Sequence, residues 1–246
     1  MDIDKRFEEA KKRIIGIDRE RPGIGTLGEK TLHAILKNFY ELNEDCHEIP
    51  VEGYVADIFS RGNIIEIQTG QFQRMREKLK AFLPLYPVTI VYPIAEKRQL
   101  RWIDPETGEI QDGRATKKIN VYQIFPELYK IKSFLKDENL KICITVLDME
   151  EYKLLNGWGE KKKNHASKYD RVPSRVVREL HMECPRDYMQ FIPIELEGEF
   201  TVKQFAKVAK CTGAQASVTM NILYEMEVVN RIGKKGNAYV YCVNEI

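Results

Sequence analysis

Residues 54–69 read YVADIFSRGNIIEIQT, and the fold class turns on how this stretch is interpreted. Side chains alternate along an extended strand, so Glu66 and Gln68 share one face while Ile65 and Ile67 share the other. Arg61-Gly62-Asn63 is a tight-turn signal. The segment Glu48–Phe59, with a break at Gly53, is therefore expected to pair with Ile64–Thr69 as a hairpin.

Downstream, Met75, Leu79, Phe82 and Leu83 fall on one face of a helix expected over Phe72–Leu83. Val88–Ile94 is an unbroken apolar run, the pattern of a strand buried on both faces. Upstream, Leu32, Ile35, Leu36 and Phe39 form a helical stripe within a helix predicted from about Leu27 to Tyr40. A charged helix is expected before it, over residues 3–18, ended by Arg21-Pro22-Gly23. Helix, hairpin, helix and buried strand is the order of a mixed α/β sandwich.

Beyond residue 95 the periodicity weakens. Leu100–Ile103 and Glu109–Ile110 suggest a second hairpin. Val121–Lys136 reads as helix interrupted near Pro126, and Lys141–Leu147 as strand. Gly157–Arg178 is polar and basic, which predicts a linker or a loop that orders on a ligand. The last residues change character: helix over Val202–Lys210, a Thr212-Gly213 turn, helix over Ala214–Met226, then strands Val228–Ile232 and Ala238–Val243 around Gly233–Asn237. That order is the winged helix-turn-helix pattern. The expected division is a domain over 1–155, a basic linker or extension over 156–195 and a small winged-helix domain over 196–246.

The chain has 246 residues, 43% hydrophobic and 31% charged, as an ordinary globular protein does. Apolar stretches such as Pro87–Ala95 are too short to cross a bilayer, which argues against a membrane partner. The charged N-terminus has no apolar signal core, so a cytoplasmic location is expected. The five cysteines are scattered without zinc-ligand spacing, Cys46-His47 being the one adjacent pair, and are read as reduced thiols. The net charge of +2 is unevenly placed: −1 over residues 1–155, +3 over 156–190, −3 over 191–200 and +3 over 201–246. The excess of positive charge in the last third suits phosphate contact, and equally a solvated basic surface.

A carboxylate beside an amide on a buried strand face needs a reason. Asp57 lies across the turn from Glu66, and Glu29, three residues before Leu32, extends the core-facing helical stripe. Three inward carboxylates repel one another unless a cation holds them. Oxygen donors favour a hard ion such as Mg²⁺ or Mn²⁺.

Gly25-Thr26-Leu27-Gly28-Glu29, Asp57 and Glu66-Ile67-Gln68-Thr69 together resemble the PD-(D/E)XK nuclease superfamily, the restriction-endonuclease-like group. The resemblance covers about residues 23–95. It implies a mixed sheet flanked by helices and a metal-dependent endonuclease cleaving DNA. In that reading Asp57, Glu66 and the Ile67 carbonyl bind metal, Glu29 supports them and Gln68 orients water. Two departures stand out: Val55-Ala56 replaces the proline often found before the aspartate, and Gln68 replaces the usual lysine. A neutral amide can orient water but supplies no positive charge. A second reading therefore stays open, a nuclease fold without catalysis that recognises nucleic acid. The resemblance also implies a homodimer, because cutting both strands needs two sites.

Gln73, Arg74 and Lys78, on the helix after the acidic strand, are candidates for phosphate contact, though their pattern also fits a solvated face. Lys161, Lys162 and Lys163 head a basic run through Lys168, Arg171, Arg175 and Arg178 that suits a nucleic-acid backbone or a plain linker. In the C-terminal part Ala216, Met220 and Leu223 are expected in the core. Gln215, Ser217, Thr219 and Asn221 are candidates for base edges, and Lys234 and Lys235 for phosphate. The second helix there carries no lysine or arginine, so a protein-docking role is an equal alternative. DNA is the expected partner, with RNA as the competing one. His33, four residues beyond Glu29, could approach the site, whereas His165 and His181 show no catalytic pattern.

Overall fold

A computed structural model describes residues 3–15, 31–116, 120–156 and 166–244. The chain is a mixed α/β protein whose open, seven-stranded sheet has helices on both faces. Helix α1 (Ile3–Ile15) precedes α2 (Thr31–Tyr40), and then come β1 (His47–Val51), β2 (Tyr54–Ser60) and β3 (Asn63–Ile67). The Gly53 break is a reversal: Glu52 and Gly53 both have positive φ, as do Arg61 and Gly62 at the next turn. Paired positive φ values match the right-handed twist of the flanking strands, so β1, β2 and β3 run as a meander.

A short 3₁₀ turn (Phe72–Met75) leads into α3 (Arg76–Phe82), and the chain returns as β4 (Val88–Ile103), parallel to β3. After β5 (Ile110–Thr116) and α4 (Phe125–Lys130) comes β6 (Leu140–Leu154), parallel to β4. The edge strand β7 (Ser167–Met182) is antiparallel to β6. The order is β1-β2-β3-β4-β6-β7, with β5 paired to the distal half of β4.

Helices α1 and α2 cover one face through Phe7, Leu32, Ile35, Leu36 and Phe39 over Ile67, Val91 and Leu147. Helices α3 and α4 cover the other through Leu79, Phe82, Phe125 and Leu128 over Ile64, Ile90 and Ile144. Central β4 is buried or half-buried on both faces from Val88 to Ala95, which explains why that run is apolar apart from Thr89.

Three readings need correction. The predicted strands Val88–Ile94 and Leu100–Ile103 are one 16-residue strand. Pro126 does not interrupt a helix but is the second residue of α4, in the first turn, where a missing N–H costs nothing. Ser167–Met182, read as linker or loop, is a strand of the main sheet; its polarity misled because its outer half pairs with β6 in a ribbon held by side-chain ion pairs. Arg175 of β7 meets Asp148 of β6 at 3.0 Å, and alongside, β4 is tied to β6 and β5 where Arg98 meets Glu151 at 3.0 Å and Arg101 meets Glu150 at 2.8 Å and also Asp112.

The last part comprises β8 (Phe200–Thr201), α5 (Val202–Val208), α6 (Gly213–Glu225), β9 (Val229–Lys235) and β10 (Ala238–Val243), with strands in the order β8-β10-β9. Thr201 and Thr212 cap the two helices, each in a reciprocal box with a glutamine three residues on. Helix α6 packs against α4, and Lys132 and Lys136 reach Glu225 and Glu227 at 2.7 and 2.8 Å. Phe205, Ala216, Met220 and Leu223 join the core that contains Phe125 and Leu128.

Candidate active site

Strand β3 brings Glu66 onto the same face as Ile64, beneath α3, with its side chain wholly removed from solvent. The β2–β3 ladder pairs Ser60 with Asn63 and continues to Ile58 and Ile65. One step further, the Ile67 N–H donates to Asp57 Oδ2 at 2.7 Å instead of to a main-chain carbonyl. The Asp57 carboxylate thus occupies the ladder where the two strands part, close enough to Glu66 for their charges to interact. Main-chain pairing resumes with the Gln68 N–H donating to the Val91 carbonyl at 2.9 Å.

Two cationic or polar side chains arrive from opposite faces of the sheet. From α3, Lys78 Nζ donates to both Glu66 oxygens at 2.8 Å. From α2, His33 Nε2 lies 3.2 Å from Asp57 Oδ2. Burial pushes the Glu66 carboxyl up to about 7, the Asp57 charge adds to this, and Lys78 opposes it. The pair is one in which a full second negative charge is costly, so it favours a nearby cation.

Asp57, Glu66, Ile67 and Gln68 are therefore neighbours at the carboxyl end of β3, with Asp57 and Gln68 half-buried. Beyond this level β4 continues to Ile103, and the polar ribbon rises beside the site; Thr31, the first residue of α2, donates to Asp170 on β7. Glu29, Lys161, Lys162 and Lys163 lie outside the described residues. Gln73 and Arg74 are exposed, as a surface-contact role requires.

Lys78 is the residue whose placement the sequence reading missed. Expected on the solvent side, it turns back over β3 to Glu66. Its position beside the core residues Met75, Leu79 and Phe82 was a usable signal, because a lysine stem can lie along apolar surface while its ammonium meets a carboxylate.

The candidate base-edge residues of α6 fare unevenly. Thr219 is fully buried, so it cannot meet a base edge. Gln215 is used in the Thr212 capping box, accepting from the Thr212 N–H at 3.1 Å. Ser217 is exposed and Asn221 half-buried, while Lys234 and Lys235 project from β9. Arg231 stacks near Tyr224 and Tyr239, at 4.3 and 4.5 Å from the ring centres, and Lys234 lies 4.9 Å from that of Tyr239.

A surface concavity lined by Leu135, Met182 and Tyr188 shares no residue with the acidic pair. Among the described residues no helix is long and apolar enough to cross a membrane.

No solved structure gives a significant match to the chain. An uncharacterized protein of Treponema pallidum (strain Nichols) is 27% identical over 158 residues, which is 64% of this chain and 61% of that protein. A family profile described as a domain of unknown function matches residues 30–183, from the start of α2 to the end of β7. The matched region takes in the whole seven-stranded sheet with Asp57, Glu66, Gln68 and Lys78, and on that coverage the chain belongs to the family named Domain of unknown function (DUF8091).

Proposed function

We propose that this protein is a divalent-metal-dependent phosphodiesterase acting on DNA, with a restriction-endonuclease-like core and a C-terminal winged helix-turn-helix unit. The observation that carries the reading is the buried Glu66, beside Asp57 at the end of a parallel strand, with a lysine ammonium on both of its oxygens. A buried carboxylate raised to about 7 beside a half-buried aspartate calls for positive charge. Asp57, Glu66 and the Ile67 carbonyl are hard oxygen donors suited to Mg²⁺ or Mn²⁺. When bound, such an ion would offset charge on the phosphoryl oxygens and make water a better nucleophile at neutral pH.

The chain's own groups take the remaining tasks. Lys78 supplies the positive charge that Gln68 cannot, and it holds Glu66 in place. Gln68 presents an amide to the attacking water. His33 and the Ile67 N–H fix Asp57 Oδ2, leaving its other oxygen for a cation. Ser217, Asn221, Lys234 and Lys235, with Gln73 and Arg74, would contact the DNA, and a homodimer would place two sites on opposite strands. Since α6 packs on α4, this unit would hold substrate as a fixed extension of the core.

One observation favours a second reading, nucleic-acid binding without cleavage. Lys78 already satisfies both oxygens of Glu66, and Gln68 carries no charge. The deciding experiment is plasmid and linear-DNA cleavage with Mg²⁺ or Mn²⁺, by the wild type and by Asp57→Ala. Cleavage that disappears in the variant supports the nuclease. Salt-dependent duplex binding without cleavage by the wild type supports the second reading, and an RNA arm tests the competing substrate. Equal cleavage by both proteins refutes the site.

A further inference from the structure

We propose that Cys143, Glu179 and His181 form a zinc site on the β6–β7 strand pair, separate from the acidic pair and independent of the nuclease reading. Cys143 on β6 lies directly opposite His181 on β7, and the next pair on the same face is Thr145 with Glu179. Two successive cross-strand pairs thus place a thiol, an imidazole, a hydroxyl and a carboxylate on the side covered by α1 and α2, where the sheet also presents Val91, Leu147 and Val176. Directly opposed residues project from the same face, so these side chains meet.

The donors are close enough for one ion. One ligand atom from each of Cys143, Glu179 and His181 lies within 4.8 Å of the other two. Cys143 Sγ is 3.6 Å from Glu179 Oε1. Zinc–sulfur and zinc–oxygen bonds at a tetrahedral angle put sulfur and oxygen about 3.5 Å apart. Cys143 is fully buried, whereas His181 is exposed at the sheet edge, which gives an ion a way in.

The surroundings hold the carboxylate in place. Tyr40, the last residue of α2, donates to Glu179 Oε1 at 2.5 Å and lies 2.6 Å from Thr145 Oγ1. Arg6 of α1 approaches Glu179 Oε2 at 3.9 Å. Such outer contacts orient metal ligands in zinc sites. A thiolate and an imidazole select zinc over Mg²⁺ or Mn²⁺, which sets this site apart from the oxygen donors near Asp57.

Charge balance also suits zinc. As the ion binds, the Cys143 thiol proton leaves to solvent and a sulfur–zinc bond forms. One thiolate, one carboxylate and a neutral imidazole around Zn²⁺ then sum to zero charge, which suits a site whose sulfur is buried. Solvent completes the coordination, and the ion would tie β7 to β6 beneath α2.

Titration of the full chain with Co²⁺, after removal of bound metal by a chelator, tests this. The expected result is a thiolate-to-cobalt charge-transfer band that saturates at one equivalent per chain and is bleached by added Zn²⁺. The band should be absent in Cys143→Ser and retained in Asp57→Ala. His181→Ala, at an exposed position that leaves folding intact, should weaken Co²⁺ affinity by about tenfold or more. No charge-transfer band in the folded wild type would show that the cluster is a hydrogen-bond network only and overturn the proposal. A band that survives in Cys143→Ser, or unchanged affinity in His181→Ala, would overturn it too.

Discussion

Replacing Glu66 with glutamine should stabilise the fold at neutral and alkaline pH, by an amount that grows from about pH 4.5 and levels off above about pH 7. Glu66 is fully buried, and burial together with the Asp57 charge raises its carboxyl from 4.5 to about 7 against the pull of Lys78. A carboxyl whose folded-state pKa lies above its unfolded value binds more protons in the folded state. Stability therefore falls as pH rises from 4.5 to about 7, and the deficit is complete above 7. Linkage over this interval gives a loss of about 2–3 kcal/mol between pH 5 and pH 8. Glutamine has no such titration, keeps nearly the same shape, and its amide oxygen can still accept from Lys78, which is itself partly exposed.

Urea unfolding followed by circular dichroism, at pH 5 and pH 8 with chelator present, measures the difference. Wild type and Glu66→Gln should lie close together at pH 5. At pH 8 the variant should be the more stable by about 2–3 kcal/mol. Parallel pH dependence in the two proteins would refute the reasoning, because it would mean that Glu66 ionises in the fold as freely as it does in water.

On the proposed nuclease function, Lys78→Met should abolish DNA cleavage at saturating Mn²⁺ while leaving the fold intact, as seen in a nicking assay alongside a melting curve; retained cleavage would remove lysine from the site. Phe125→Ala deletes a fully buried ring packed edge-on against Phe191 at 5.0 Å and should cost about 3–5 kcal/mol in urea unfolding. Thr212→Ala removes the cap of α6 and should cost about 1 kcal/mol, read from the same unfolding curves. Gly113→Ala would place a methyl 2.6 Å from Trp102 Nε1 and 2.8 Å from Leu100 Cβ, so a loss of about 1–3 kcal/mol and an altered Trp102 fluorescence are expected.

Much of the architecture could be read from local pattern. The alternation that sets Glu66 apart from Ile65 and Ile67 predicted a strand with an acid on a buried face, and β3 has that form. The Arg61-Gly62 signal predicted the β2–β3 reversal, and in the C-terminal part the expected helices and strands match α5, α6, β9 and β10 within a few residues. In each case the information is contained in one segment: a turn needs positive φ, a helix needs a cap and an apolar stripe, and a half-buried strand needs alternation.

What required the tertiary structure was pairing between residues far apart in sequence. Polar β7 reads as linker because its outer half is stabilised by β6 and by partners such as Asp148 for Arg175, 27 residues away, and no pattern within β7 encodes that pairing. Lys78 looked like a surface cation until α3 was laid over β3, and Thr219 looked like a base reader until its helix was packed in place. Cys143, Thr145, Glu179 and His181 are unremarkable in the sequence because the two pairs they form are separated by 34 and 38 positions; only the register of two antiparallel strands makes them neighbours. A segment's own periodicity records which of its faces is buried, whereas the identity of the group across the gap is decided by the chain's long-range pairing.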